Sequence, residues 1–416
     1  MKPAAYSART DFAVIPISKV PPIPPVGSIA IDLDFNCPIL RVTGPNFNPQ
    51  HPNFAYFAGI GGSADVNVWN RTSTKFCFED QGTRQFVMGF DPVNFRTFPL
   101  YPAAFPQGTF CIEGGGACEF SKAADVLFRY DGLKIWMYSF TATIPPSPIL
   151  LCDFSTALPG FSPTWQSVGG CSANGKTFAI ALSNAGAQGT GTTIMLYRTG
   201  KGWRKFDTQT GQVSGQWGKT GTIQSSDRFT IHNVKISPGG DWLIIAVGSV
   251  DGNTVKDKHF WNLDTLEMSV VSNFTDGHFT EGFDLWINNG GTPFGQYQSR
   301  LFTQPGNPVP EIIPVPTIKP PLDQHPSWNN VSDADQEAFF STSHTPNPIT
   351  QPWENEILGF EQSKVMRFCH TFNTGKSPLF SIQNAIGSVS QDGKFMLFCS
   401  DWQGQTQGDV FIVPLR

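Results

Sequence analysis

Apolar residues along this chain come in short runs of about six, cut by clusters of Gly, Asp, Asn, Ser and Pro. That pattern predicts strands joined by tight turns. One phrase recurs: a short strand, a Ser, a brief turn rich in Gly, Asp or Asn, then an apolar strand. It is clearest at residues 232–246 (HNVKISPGGDWLIIA), and it returns without a gap at 167–181 (SVGGCSANGKTFAIA) and 385–399 (AIGSVSQDGKFMLFC). Weaker copies start near Asp65, Phe120 and Ser327, and a unit around 278–288 keeps the strand but not the turn.

Two further strands follow several copies, as at 260–271, where an Asp-Thr-Leu-Glu turn separates them. Four strands in about 45 residues is the unit of a propeller blade. The expectation is an all-β, seven-bladed β-propeller with four-stranded blades, at about residues 64–110, 111–160, 161–220, 221–275, 276–320, 321–375 and 376–416. Residues 28–45 are expected to close the last blade, which otherwise ends the chain with an uncovered edge. Six or eight blades, a β-sandwich and an open solenoid are the alternatives. Residues 1–27 carry Pro16, Pro21, Pro22, Pro24 and Pro25 and read as an extended arm, laid along the body or left mobile.

Composition narrows the partners. Charged residues make up 15% of the 416, aromatics reach 13% with 36 Phe, and the formal net charge is −5 without a Lys/Arg block. Nucleic acid is set aside on that ground. No run approaches the roughly 20 apolar residues of a membrane span, and the start lacks the apolar core of a signal peptide, so a mature secreted or periplasmic form is expected. The even count of 8 cysteines is compatible with disulfides. Cys111 and Cys118, flanking a Gly-rich loop, are the best local pair; the opposing reading is that Cys152, Cys171, Cys369 and Cys399 are small buried hydrophobes. Sequons at Asn70, Asn273 and Asn330 do not decide the compartment.

The histidines carry the candidate chemistry. His232, His278 and His325 lie 46 and 47 residues apart, each at or just before the innermost strand of a blade, where consecutive blades converge on a channel. His51, His259, His344 and His370 read as surface residues in loops or outer strands. Trp165, Trp286, Trp328 and Trp402 are candidate exposed rings for stacking a sugar, with core filling as the alternative. Glu281 and Asp284 form a possible acid pair for glycoside hydrolysis, weakened by an i, i+3 spacing that puts them on opposite faces of a strand. Serine-hydrolase, zincin and c-type haem motifs are absent.

The phrases at 237–241 and 390–394 resemble the blades of TolB-type propellers, and the seven-blade count is similar to that of the oligogalacturonate lyases. The TolB-like pattern covers most of 64–414 but is shared by peptidase propellers, periplasmic scaffolds and lyases, so it bears on fold rather than chemistry. The lyase resemblance implies that His232 is the general base and that His278, Gln324 and His325 hold a divalent metal such as Mn or Ca. Substrate carboxylates would also demand a cation, for which Arg228 and Arg204 are the nearest candidates though no strong motif places them, and Trp286 and Trp328 are candidates to stack on the sugar. One departure stands out: Ser327 occupies the place of a further metal ligand. The expected function is metal-assisted β-elimination on a polysaccharide or oligouronide; the alternative is a non-catalytic platform for glycans or proteins.

Overall fold

The computed structural model describes residues 8–48, 54–58, 66–81, 84–101, 110–112, 116–140, 145–185, 191–223, 228–248, 255–272, 279–288, 298–306, 324–328, 337–342, 349–350, 352–361, 364–379, 382 and 385–415. Strands make up nearly all of their regular structure, with a short 3-10 helix at Phe154–Thr156. Among the described residues the strands form seven antiparallel sheets, named here first to seventh: 56–112, 117–153, 165–222, 230–272, 279–301, 324–370, and 387–414 joined by 29–41. The second, fourth and sixth have four strands; the third has six, because residues 212–222 add a hairpin at its outer edge.

The recurring phrase has a specific geometry. The Ser hydroxyl accepts the backbone N–H five residues on: Ser172 from Thr177 at 3.0 Å, Ser237 from Trp242 at 3.2 Å and Ser390 from Phe395 at 3.0 Å. Its carbonyl accepts from Gly175, Gly240 or Gly393, and these glycines sit at φ +67°, +80° and +67°. A side chain is strained there, which is why Gly recurs at that place. The copy in the first sheet meets the same demand differently: Asn70 Oδ1 accepts from Lys75 N at 2.8 Å, and Ser73 takes the left-handed position at φ +54°.

Among the described residues, contacts at or just beyond the first strands, and at 67–69 beside the first sheet, link the sheets in succession. Phe120 N donates to Asn67 O at 2.7 Å, the Cys171 thiol hydrogen-bonds Glu119, and Ala173 N donates to Pro238 O at 2.7 Å. The Lys235 ammonium donates to Phe279 O, and Trp328 N donates to Thr280 Oγ1 at 3.1 Å. Val389 N donates to Ser327 Oγ at 3.2 Å, and Trp69 Nε1 donates to Ser388 O at 3.1 Å, which returns to the first sheet. Sheets joined through their faces in this way define a β-propeller.

Cys37–Arg41 pairs with Asp409–Pro414, with Leu40 opposite Ile412, so the seventh sheet draws on both ends of the chain. A buried ion pair, Arg41 to Asp409 at 2.7 Å, fastens it. Residues 8–25 lie along the sixth and seventh sheets. Arg9 bridges to Arg367, Trp402 Nε1 donates to Pro21 O at 2.9 Å, and Ile15 is buried in the core shared by Cys37, Ile39, Phe368, Cys369 and Phe411. The Arg367 guanidinium, fully buried, meets Glu356 at 2.6 Å, the Asp11 carboxylate at 2.8 Å and the Ala13 carbonyl at 2.9 Å.

Candidate functional site

His232 lies on the first strand of the fourth sheet, Thr230–Ile236, and the register there is irregular. Ile231 pairs with Val247 and Asn233 with Ala246, leaving His232 as the extra residue of a β-bulge. Ile231, Val234 and Ile236 all enter one hydrophobic core with Ala179 and Ala181 of the third sheet. Strict alternation from Val234 and Ile236 would send residue 232 into that core and Ile231 to the other face. The bulge reverses this, so Ile231 packs inward while His232 and Asn233 remain half-buried. In the third sheet the bulge falls at Gly169, between Val168 and Gly170, where a Cβ would stand 2.8 Å from that of Ala179. A gapless alignment puts Ser167 opposite His232 and conceals the shift.

Arg228, four residues before His232, is exposed. Arg204 is not available to a substrate: it is buried, with its guanidinium donating to the carbonyls of Trp217, Lys219 and Thr265 and stacked against Trp217 and Trp261. Burial lowers its pKa to about 10. Its role is to tie the third sheet to the fourth.

His325 is on the first strand of the sixth sheet, opposite Ser341, and only 2% exposed. Ser327 follows on the same face by alternation. The Ser327 hydroxyl lies 3.5 Å from Ser388 Oγ and accepts from Val389 N, so this face looks toward the seventh sheet. His278 and the side chain of Gln324 lie outside the described residues. The residue at the expected further ligand position is thus committed to a neighbouring strand.

A second group with ligand-type side chains lies elsewhere. One ligand atom from each of Asp32, Asp34 and His370 falls within 4.8 Å of the others. Both His370 ring nitrogens already face acceptors, Asp32 Oδ2 at 3.1 Å and the Ile15 carbonyl at 3.0 Å, which makes this an imidazole–carboxylate clasp holding the arm. Burial alone would lower the His370 pKa, but the Asp32 hydrogen bond and charge, with Glu356, raise it above the ordinary value.

Several expectations are corrected. Trp286, Trp328 and Trp402 are buried at 0%, 3% and 0%, so their rings fill the joints between sheets instead of standing exposed for a sugar; Trp165 is half-buried. His370 is fully buried, and His259 is 4% exposed with its ring edge-on to Phe229. His51 and His344 lie outside the described residues. Glu281 and Asp284 are separated by a turn in which Gly282 N donates to Leu285 O, at 2.8 Å. The Cys111–Cys118 bridge is not formed: Cys111 pairs opposite Phe86 in the first sheet while Cys118 belongs to the second, and all eight cysteines are free. Asn70 is buried and its amide is committed to the turn; Asn273 and Asn330 lie outside the described residues.

Sequence inspection missed the buried carboxyl of Glu119, on the first strand of the second sheet, which accepts from Tyr130 and Cys171. Burial pushes its pKa up to about 7. An acidic residue in an otherwise apolar strand (ACEF) was the available signal.

The fold and its inner strands define the class: an all-β propeller that resembles the oligogalacturonate lyases in fold. The chain is similar over 94% of its length to the oligogalacturonate lyase of Vibrio parahaemolyticus, covering 96% of that chain at a TM-score of 0.54 and 10% identity. The Cps50 (Swd1) β-propeller domain of Myceliophteria thermophila matches 84% of this chain and 96% of its own at 0.46 and 12% identity. No family model matches, and no curated protein matches in sequence. Among the described residues no helix is long and apolar enough to cross a membrane.

Proposed function

We propose that this protein is a seven-bladed propeller, closed by the hairpin at 29–41, that handles acidic oligosaccharides at the inner edge of its fourth blade by proton abstraction through His232. The ring count is supported by the succession of contacts linking the seven sheets, and the closure by the pairing of Leu40 with Ile412. The observation that carries the site is the bulge: it keeps an imidazole half-exposed on an inner strand whose other apolar side chains are buried. An imidazole takes up a proton near neutral pH. In β-elimination it would remove the hydrogen on the carbon next to the uronate carboxylate. The released pair forms the double bond, and the glycosidic oxygen leaves. Arg228, exposed and nearby in sequence, is the cation for the carboxylate. The likeness in fold to an oligogalacturonate lyase supports the substrate class. No step is assigned to a metal.

The test is to incubate the protein with polygalacturonate and other polyuronates and follow the ultraviolet absorbance of unsaturated uronate. His232→Ala is expected to lower turnover by about 10²-fold or more while leaving sugar binding in place. A second reading, a binding platform without chemistry, is favoured by the committed Ser327 hydroxyl and the buried tryptophans. Calorimetric binding of a polyuronate without product selects that reading. Neither product nor binding overturns both.

A further inference from the structure

Cys37 is on the ring-closing hairpin of the seventh sheet, and Cys369 is on the last strand of the sixth, Lys364–His370. Cys37 stands opposite Asp32 in its hairpin, and the Asp32 carboxylate accepts the backbone N–H of His370 at 2.7 Å, so the hairpin end abuts the strand at Cys369. Both thiols are fully buried in one core with Ile39, Phe368 and Phe411. Position in sequence hides the pair, since nearly the whole propeller lies between them.

We propose that Cys37 and Cys369 form a disulfide when the chain folds in the presence of a disulfide oxidant such as oxidised glutathione, locking the closing hairpin to the sixth sheet. One deprotonated cysteine attacks the glutathione disulfide, forming a mixed disulfide and releasing one glutathione thiolate. The second cysteine, once deprotonated, attacks the protein sulfur of that mixed disulfide and releases the other. One S–S bond is broken and one formed, two cysteines are oxidised, one glutathione disulfide becomes two thiols, and the protons pass to the departing thiolates. Burial holds the Cys369 thiol well above its ordinary pKa, so exchange takes place before the hairpin docks and not afterwards. The cross-link spans most of the chain, and large closed loops restrict the unfolded ensemble strongly.

The test is to refold the full chain from denaturant in reduced-and-oxidised glutathione, and separately in excess reductant. Thiols are then counted in denaturant, and the cross-linked peptides are mapped without reduction. The oxidised sample is expected to show two thiols fewer than the eight of the reduced chain, a peptide joining Cys37 to Cys369, and a higher Tm. In Cys37→Ala that peptide and the Tm difference disappear. Eight titrating thiols after oxidative refolding, or a bridge joining other cysteines instead, overturns the proposal. Mapping the wild-type chain keeps the test decisive even where the variant does not fold.

Discussion

At the junction of residues 8–41 with the sixth and seventh sheets Arg367 and Glu356 are both fully buried and paired at 2.6 Å, whereas His232, on the first strand of the fourth sheet, is left half-buried by a bulge. The junction joins two distant ends of the chain, and its polar side chains face one another: Arg41 with Asp409, Arg367 with Glu356 and Asp11, His370 with Asp32. Around His232 the chain inserts an extra residue to keep the core intact and the imidazole out of it. The difference separates polar groups paired with one another inside the junction from a side chain kept at the border of a core. Removing the first kind should unfold; removing the second should disable.

Arg367→Ala gives the largest effect in this comparison. It leaves the Glu356 carboxylate buried without its partner, and losses of about 3–5 kcal/mol are typical of that situation. Denaturant unfolding checks this, and a loss below about 1 kcal/mol would mean that the junction is held by its apolar contacts alone.

His370→Gln is expected to cost about 1.5–3 kcal/mol, the worth of a hydrogen bond to a charged group. The wild-type contribution also depends on pH. Because the folded His370 pKa is raised, its stabilisation is full below the unfolded value of about 6.5 and fades as pH rises through the folded value. Asp32, Asp34, Glu356 and Arg367 are the charged groups around it. Stability profiles that remain parallel for wild type and variant across that window would place the clasp in another protonation state.

Glu119 tests the second-to-third joint, where a buried carboxyl meets Tyr130 and Cys171, while Glu356 meets Arg367. Its folded pKa is raised to about 7 from 4.5, so its contribution is full below the unfolded value and is lost as pH rises toward 7 and beyond. Glu119→Gln should remove that slope and unfold no more readily than wild type above pH 7, as read from Tm against pH.

His232→Ala should change stability least, within about 0.5 kcal/mol, as for a side chain outside the core. A large loss of Tm in this variant would make the bulge a structural device and break the comparison from its other side.

Much of the fold was legible because each blade must solve the same local problem. A Ser whose hydroxyl caps the next strand and a Gly at positive φ leave a pattern that can be read at 172–175, 237–240 and 390–393. In the first sheet the same geometry is reached with Asn70 and Ser73, which is why that copy looked weak. The candidate site was legible only in part. Equal spacing drew attention to His232 and His325, but spacing does not carry bulges, and one extra residue decides whether a side chain enters the core. The tryptophans misled for a related reason: a ring near an inner strand can face the channel or fill the wedge between sheets, and composition is the same in both cases.

The sequence by itself determined the period of the chain, its turns and its all-β character, because those follow from interactions among residues a few positions apart. Tertiary structure alone decided which polar groups met. His370 and Asp32, Arg367 and Asp11, and Cys37 and Cys369 are separated by hundreds of residues, and they come together because the strand at 37–41 completes the sheet that ends at 414. That contact covers the edge of the strand at 409–414, and no local signal encodes which distant side chains it will bury beside one another.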